Sequence, residues 1–246
     1  MVCDKQGFDY NAVPGDYQYR ALTAGPRLQR FWHRHKLELL SRVVWLKATD
    51  TILEVGCGSG NLLFHASAHV NSAYGFDISK EAIRFCRERA ASENLVKTHL
   101  FLASANRIPL PDAVIDCVIL AEVIEHLRAP LAHLNELSRV LRPGGQMFIT
   151  TPNYGSLWPV LERVVDWLNL VPKMRNEQHI TRLRKTELES LLETAGFVVQ
   201  RSGTFYALSP LAATISERLA AWLFAMEINM QTSLGLLLYC VAEKAA

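Results

Sequence analysis

An apolar run, Thr51–Val55, passes straight into the loop GCGSG at 56–60, and a helix-forming stretch follows from Asn61. That order constrains the fold more than any other feature of the chain. Glycine tolerates positive φ and lets a ligand approach the backbone with no Cβ in the way. The helix behind the loop aims free N–H groups and a positive dipole end at whatever sits there. Such a strand–loop–helix unit suits a carboxylate or a phosphate equally.

The alternation then repeats. Ala73–Phe76 reads as a strand, Lys80–Glu93 as an amphipathic helix and Thr98–Ala103 as a strand. Asp116–Leu120 is apolar after its first residue, as a strand covered on both faces should be. Leu131–Leu141 reads as a helix stopped by a turn at Pro143, Gly144 and Gly145. Gln146–Thr151 is a fifth strand, Arg184–Ala195 a helix, and Phe197–Ser202 and Leu234–Val241 two final strands. The expected class is therefore α/β: a doubly wound, seven-stranded, mostly parallel sheet with helices on both faces. The chain reads as one domain, 1–246, with an N-terminal helical cap at 1–47 that contains a helix over 27–47. Two apolar segments, Gly155–Arg175 and Thr204–Thr232, interrupt the alternation. Insertions of this kind cap a site or bind a partner.

Charge excludes little but favours nothing basic. Twenty-six basic and 24 acidic residues leave a formal net charge of +2. No basic stripe points to nucleic acid. The five cysteines are scattered without a CxxC pair, so buried free thiols are expected rather than a zinc site or a disulfide framework. The N-terminus lacks the basic and apolar regions of a signal peptide, and no apolar run reaches membrane-spanning length. The expectation is a cytoplasmic protein, with contact to the inner face of a membrane left open.

The loop's own spacing narrows the ligand. A P-loop would need Gly-Lys-Ser/Thr, and a dinucleotide fold would carry GxGxxG. Here the spacing is GxGxG, with Glu54 two residues ahead. Asp77 closes YGFDIS, 77 − 60 = 17 residues after the last glycine. A carboxylate there can accept both hydroxyls of a ribose.

With these motifs in order, the chain resembles the class I S-adenosylmethionine methyltransferases from about Thr51 to Thr151. The resemblance rests on ExGxGxG at 54–60, Asp77, ASANRIPLPDAVID at 103–116, AEVIEHL at 121–127 and LRPGGQMFITTPN at 141–153. It is nearest the small-molecule branch that includes the ubiquinone and menaquinone O- and C-methyltransferases, which HITRLRKTELESLLETAGF at 179–197 also resembles. The resemblance implies a Rossmann-like methyltransferase sheet with its last strand antiparallel, and S-adenosyl-L-methionine as cofactor. It implies that Glu54, Gly56, Gly58 and Gly60 line the methionine end, that Asp77 binds the ribose and that Ile78 packs on adenine. Ser104 and Ala105 would sit at the adenine edge. The family often has an acid at Ser104, and serine is the weaker acceptor for an adenine amino group. Ala121, Glu122 and Val123 would lie beside the sulfonium.

Methyl transfer needs acceptor, methyl and sulfur held in line, and a base helps if the acceptor is a hydroxyl. His126 and His179 are the candidate bases. His126 could instead fix Glu125 or a backbone carbonyl. Glu122 and Glu125 read either as functional or as solvated residues at a helix start, Asp116 as structural, and His33 and His35 as an exposed helix face. No metal site is expected, because the eight histidines are not paired with carboxylates at ligand spacing.

The apolar segments, with Trp158, Leu161, Val165, Trp167, Trp222 and Leu223, allow four readings: ordinary packing of lid helices onto the domain, a pocket for a small lipophilic acceptor, a membrane-facing surface, or a homodimer interface. YNAVPGDYQYRAL at 10–22 could fold over the cofactor. Two function classes remain: a methyltransferase for a small, apolar acceptor, and a non-catalytic S-adenosylmethionine-binding module on the same fold. An NAD-dependent oxidoreductase is a distant third.

Overall fold

The computed structural model describes residues 9–168, 178–230 and 233–245. Residues 1–8 of the expected N-terminal cap, which include Cys3, lie outside this range, as do 169–175 and 231–232 of the two apolar segments. Seven strands form one sheet: β1 (Thr51–Val55), β2 (Ser72–Asp77), β3 (Thr98–Leu102), β4 (Ile115–Ala121), β5 (Leu141–Pro152), β6 (Phe197–Phe205) and β7 (Leu237–Lys244). Their spatial order is β3-β2-β1-β4-β5-β7-β6. The β1–β2, β2–β3, β1–β4 and β4–β5 pairs are parallel, whereas β7 runs antiparallel to both β5 and β6.

Alternate residues of each strand feed two cores, as the two-residue period of a strand requires. Ile52, Cys117, Ile119 and Phe148 face one core, with α2 (Arg27–Val43), α3 (Asn61–Ser67) and α4 (Lys80–Ser92). Leu53, Val55, Val118, Leu120 and Met147 face the other, with α5 (Pro130–Val140) and α7 (Lys185–Thr194). Local chemistry sets the helix starts. Ser79 caps α4 by accepting from Ala82 N–H, Pro130 opens α5, and Arg184 N–H donates to Glu187 in the first turn of α7.

Two expectations change here. Pro143-Gly144-Gly145 is not a turn outside the sheet but a bulge inside β5. Ile115 pairs with Leu141 and Cys117 with Gln146, so β5 advances 146 − 141 = 5 residues while β4 advances 117 − 115 = 2. Gly144, with φ of 73°, absorbs the excess. His35 does not lie on an exposed face. It is buried, its Nδ1 sits 2.9 Å from Phe31 O, and its ring centroid lies 3.9 Å from that of Phe31 with the planes tilted by 33°.

The apolar segments are helical where described: α6 (Trp158–Trp167), and after β6 the short α8 (Ser209–Ala213) followed by α9 (Glu217–Asn229). Helices α8 and α9 pack on α2. Tyr206, fully buried, donates to Trp32 O and joins the two bodies. A short α1 (Tyr17–Thr23) precedes α2. Cys57, Cys86, Cys117 and Cys240 are free and buried. Among the described residues no helix is long and apolar enough to cross a membrane.

Candidate active site

The carboxyl ends of β1, β2 and β4 meet at one edge, where ligands bind in open α/β sheets. The glycine loop leaves β1 with Gly56, Gly58 and Gly60 at φ of 65°, 50° and 74°. A Cβ at Gly58 would meet the amide end of Gln18, which would have to swing away, and the positive φ there favours glycine. Asp77, at the end of β2, accepts from Gly58 N–H (2.9 Å) through one oxygen and from Ser79 N–H (2.8 Å) through the other. Ile78 N–H adds a third amide contact to the carboxylate. Burial raises the Asp77 pKa above its usual value, against the pull of those amides.

Glu54 lies on the face of β1 covered by α3 and is buried, with one carboxyl oxygen lacking any hydrogen-bond partner. Burial pushes its pKa well above the ordinary carboxylate value near 4.5, reinforced by Cys86 and Asp77 and opposed by Leu63 N–H and Lys36. In linkage terms, the folded state holds this proton longer than the unfolded chain does, so stability falls as pH rises above the ordinary value. Glu54→Gln is therefore expected to melt higher than the parent in ligand-free protein at pH 8. The gain should be about 2–4 °C, the equivalent of about 1 kcal/mol in a chain this size. It should vanish near pH 4, and a gain that is equal at both pH values would disprove the assignment.

The N-terminal segment does fold over the loop. Gln18 N–H donates to Ser59 Oγ, and Ser59 Oγ donates to Gly15 O. Asn11 accepts from Lys80 N–H. Tyr10 meets the His126 ring edge-on at 5.9 Å. Under this strap runs a cavity of about 1470 Å³. Pockets for a single small ligand measure about 300–1,000 Å³, so this one has room for a second. One end is lined by Gly56, Gly58, Asp77, Ile78, Ser104 and Ala105, the other by Leu28, Trp32, Trp158, Leu161 and Val165. Glu122, Glu125, His126 and His179 line its middle. Glu54 and Gly60 sit behind the loop rather than on the wall. Ser104 Oγ accepts from Asn106 N–H, holding the turn beneath it.

Glu122 follows β4 with φ of 55° and binds Lys36 through both oxygens, at 3.0 and 3.1 Å. Glu125 is not a solvated helix-start residue. It is 1% exposed, accepts from Thr151 Oγ1 (3.1 Å), and has its pKa pushed up to about 8 by burial and by Glu122. Its backbone carbonyl accepts from Ile180 and Thr181 N–H, which ties the 179–181 segment to the turn at 124–126. His126 Nδ1 lies 2.9 Å from Gln178 O, the backbone-carbonyl contact weighed from sequence. Burial lowers the His126 pKa to about 4.

His179, also buried, sets Nδ1 2.7 Å from Glu162 Oε1 on α6, and Tyr154 OH donates to the same oxygen. Burial lowers the His179 pKa, and Glu162 opposes that. The His126 and His179 rings are 5.4 Å apart. His33 is not simply an exposed-face residue. It lines the cavity, and burial, helped by Lys36, lowers its pKa to about 3. Lys36, Ser59, Gln18 and Glu162 carry no sequence signal of their role, because each reaches the site across elements rather than within a motif.

The donor set fits S-adenosylmethionine. Asp77 offers acceptors for a diol, and Glu122 places a carboxylate on the wall of the same cavity. A family model described as "Methyltransferase domain" matches residues 26–202. A "Probable S-adenosylmethionine-dependent methyltransferase" from Mycolicibacterium smegmatis is 31% identical over 199 residues, covering 80% of this chain and 72% of that protein.

The chain belongs to the S-adenosylmethionine-dependent methyltransferase family.

The demethylmenaquinone methyltransferase of Protochlamydia amoebophila is 29% identical over 210 residues, covering 77% of this chain and 85% of that one. Two relatives from Mycobacterium tuberculosis are longer, and the chain spans 60% of each. The crystal structure of a SAM dependent methyltransferase from Aquifex aeolicus superposes with a TM-score of 0.62 at 21% identity, covering 96% of this chain and 98% of that one, and supports the fold. The chain is a methyltransferase that uses S-adenosyl-L-methionine.

Proposed function

We propose that this methyltransferase acts on a small lipophilic acceptor, of the ring-plus-apolar-tail kind found in quinone precursors. The observation that carries this reading is the single cavity that joins Asp77 and the glycine loop to an apolar wall of Trp32, Trp158, Leu161 and Val165. The match to a protein named for demethylmenaquinone supports it. In this reading Glu54, Gly56, Gly58 and Gly60 shape the methionine end, Asp77 holds the ribose, and Ile78, Ser104 and Ala105 flank the adenine. Glu122 faces the sulfonium. His126 and His179 meet the acceptor's nucleophilic atom. Each has Nδ1 engaged, which leaves Nε2 as the free ring atom. The reaction forms the bond from acceptor to methyl carbon and breaks the carbon–sulfur bond, whose electron pair stays on sulfur.

Exposed apolar side chains near the acceptor end, Val160 and Trp167 on α6 and Ile215 and Trp222 around α9, support entry of the acceptor from a membrane surface. The test is kcat/KM for phenolic acceptors of increasing isoprenoid tail length, free and in anionic vesicles. A tail methylene that becomes buried contributes about 0.8 kcal/mol. A rise of at least about tenfold per isoprene unit is expected, flattened by Trp158→Ala, with the enzyme sedimenting with the vesicles. A profile indifferent to tail length would remove the lipophilic acceptor. Binding of S-adenosylhomocysteine without product from any acceptor would favour the non-catalytic module.

A further inference from the structure

An ion pair stands at the middle of the cavity. Lys36 on α2 puts Nζ 3.1 Å and 3.0 Å from the two carboxylate oxygens of Glu122, 86 residues away in the chain. We propose that Lys36 is a positioning residue, the counter-charge of Glu122, and that the pair sets how strongly the enzyme prefers the cationic cofactor over its uncharged product. This rests on the reading above in one respect, that Glu122 faces the sulfonium.

Where Glu122 stands is the first argument. It lines the cavity together with Gly56 and Val123. Val123 lies against the glycine loop, since a Cβ on Gly56 would come within 2.7 Å of Val123 Cγ2. Glu122 itself has φ of 55°, a left-handed conformation that residues with a Cβ adopt rarely. Its N–H donates to Thr150 O (2.9 Å) and its carboxylate is held by Lys36, so both ends of the residue are fixed beside the loop.

Charge gives the second argument. Burial keeps Glu125 mostly protonated at neutral pH, with its pKa pushed up to about 8, and pushes Glu54 well above the ordinary carboxylate value. Lys36 pulls against burial at both of those acids, so its ammonium acts on all three. Glu122, held by the ammonium through both oxygens, is then the acid that carries charge at the middle of the cavity. The lysine needs it equally. Lys36 is buried, and a buried ammonium without a partner is costly.

The third argument is the change of charge between the two ligands. S-adenosylmethionine carries a sulfonium, and S-adenosylhomocysteine has a neutral thioether in its place. A lone carboxylate beside the sulfur would hold the first much more tightly than the second. That attraction would stabilise the bound reactant and fade as the methyl departs, which opposes transfer. A carboxylate already paired with an ammonium group presents little net charge, so the two ligands bind with similar strength. Glu122 keeps its place beside the loop without deepening the well from which the methyl leaves.

The test is calorimetric titration of the full chain with S-adenosylmethionine and with S-adenosylhomocysteine, read as the ratio of the two affinities. Lys36→Met should shift that ratio toward S-adenosylmethionine by at least about tenfold. Glu122→Gln, which leaves the ammonium unopposed, should shift it toward S-adenosylhomocysteine by at least about tenfold. Lys36→Arg and the double variant Lys36→Met/Glu122→Gln should stay within about threefold of the parent ratio. A pair that serves only structure would move both affinities together and leave the ratio fixed, which overturns the proposal. If Glu122→Gln moves the ratio and Lys36→Met does not, Glu122 faces the sulfonium but Lys36 is not its counter-charge, and the proposal falls alone. If neither moves it, the placement of Glu122 beside the sulfonium falls as well. Should a melting curve show Lys36→Met unfolded, Glu122→Gln against the double variant decides. A ratio restored by removing the lysine upholds the proposal, and a ratio left as in Glu122→Gln overturns it.

Discussion

Asp77→Ala is expected to weaken S-adenosylhomocysteine binding by at least about 100-fold. Hydrogen bonds to a charged acceptor contribute about 1.5–3 kcal/mol each, and every 1.4 kcal/mol is tenfold in affinity. The two ribose hydroxyls would lose two such bonds. Asp77 also fixes the loop through Gly58 N–H and the start of α4 through Ser79 N–H. Some loss of loop order therefore adds to the direct effect. Calorimetric titration checks the affinity, and a melting curve separates binding from folding. A folded variant that binds within threefold of the parent would remove Asp77 from the cofactor site.

The second large effect concerns stability and lies at the far side of α2. Glu227 on α9 is buried and accepts three hydrogen bonds: from Leu208 N–H (2.7 Å), Ser209 N–H (2.8 Å) and Ser209 Oγ (2.7 Å). Helix α8 has only five residues and no side-chain cap of its own, so α9 satisfies its first amides. Glu227→Ala would leave two amides and a hydroxyl buried without partners. Removing one side of such a buried network costs about 3–5 kcal/mol. The midpoint of thermal unfolding should drop by roughly 6–20 °C at about 2–4 °C per kcal/mol. Glu227→Gln, which keeps one acceptor oxygen, should fall between. A change under about 0.5 kcal/mol in urea unfolding would show that water reaches this corner and replaces the carboxylate. Because α8 and α9 back α2, the same substitution should loosen the Trp32 wall and raise KM for an apolar acceptor.

The expected cofactor half is the part a sequence can mark, because its determinants are local. The glycine loop, the acid closing β2 and the segment after β4 each sit at a strand end, and periodicity locates strand ends well. The partners at the acceptor half are not legible for a matching reason. Lys36 meets Glu122 across 86 residues, and His179 meets Glu162 on a different element. No spacing rule links such positions, so Glu122 and His179 stand out by their motifs while the Lys36 and Glu162 that engage them do not. His35 was misplaced because α2 buries a wider face than its apolar residues mark, with Lys36 also under cover. The Pro-Gly-Gly element was read as a boundary since those residues usually end structure. Here β4 continues beside them, and β5 stays in the sheet by bulging.

The position of β7 sets an order of events during synthesis. It is translated after the six other strands, yet it lies between β5 and β6 and is hydrogen-bonded to both. Until it emerges, β6 has no neighbour in the sheet, and α8 and α9 hang on a strand that cannot dock. The strand ends that build the cofactor half are all made by Ala121, and β7 begins at Leu237, 237 − 121 = 116 residues later. At about 5–20 residues per second, that is a gap of roughly 6–23 s. The nascent chain thus carries the strand ends around the glycine loop for several seconds before β7 can seat β6, α8 and α9 on the rest of the sheet.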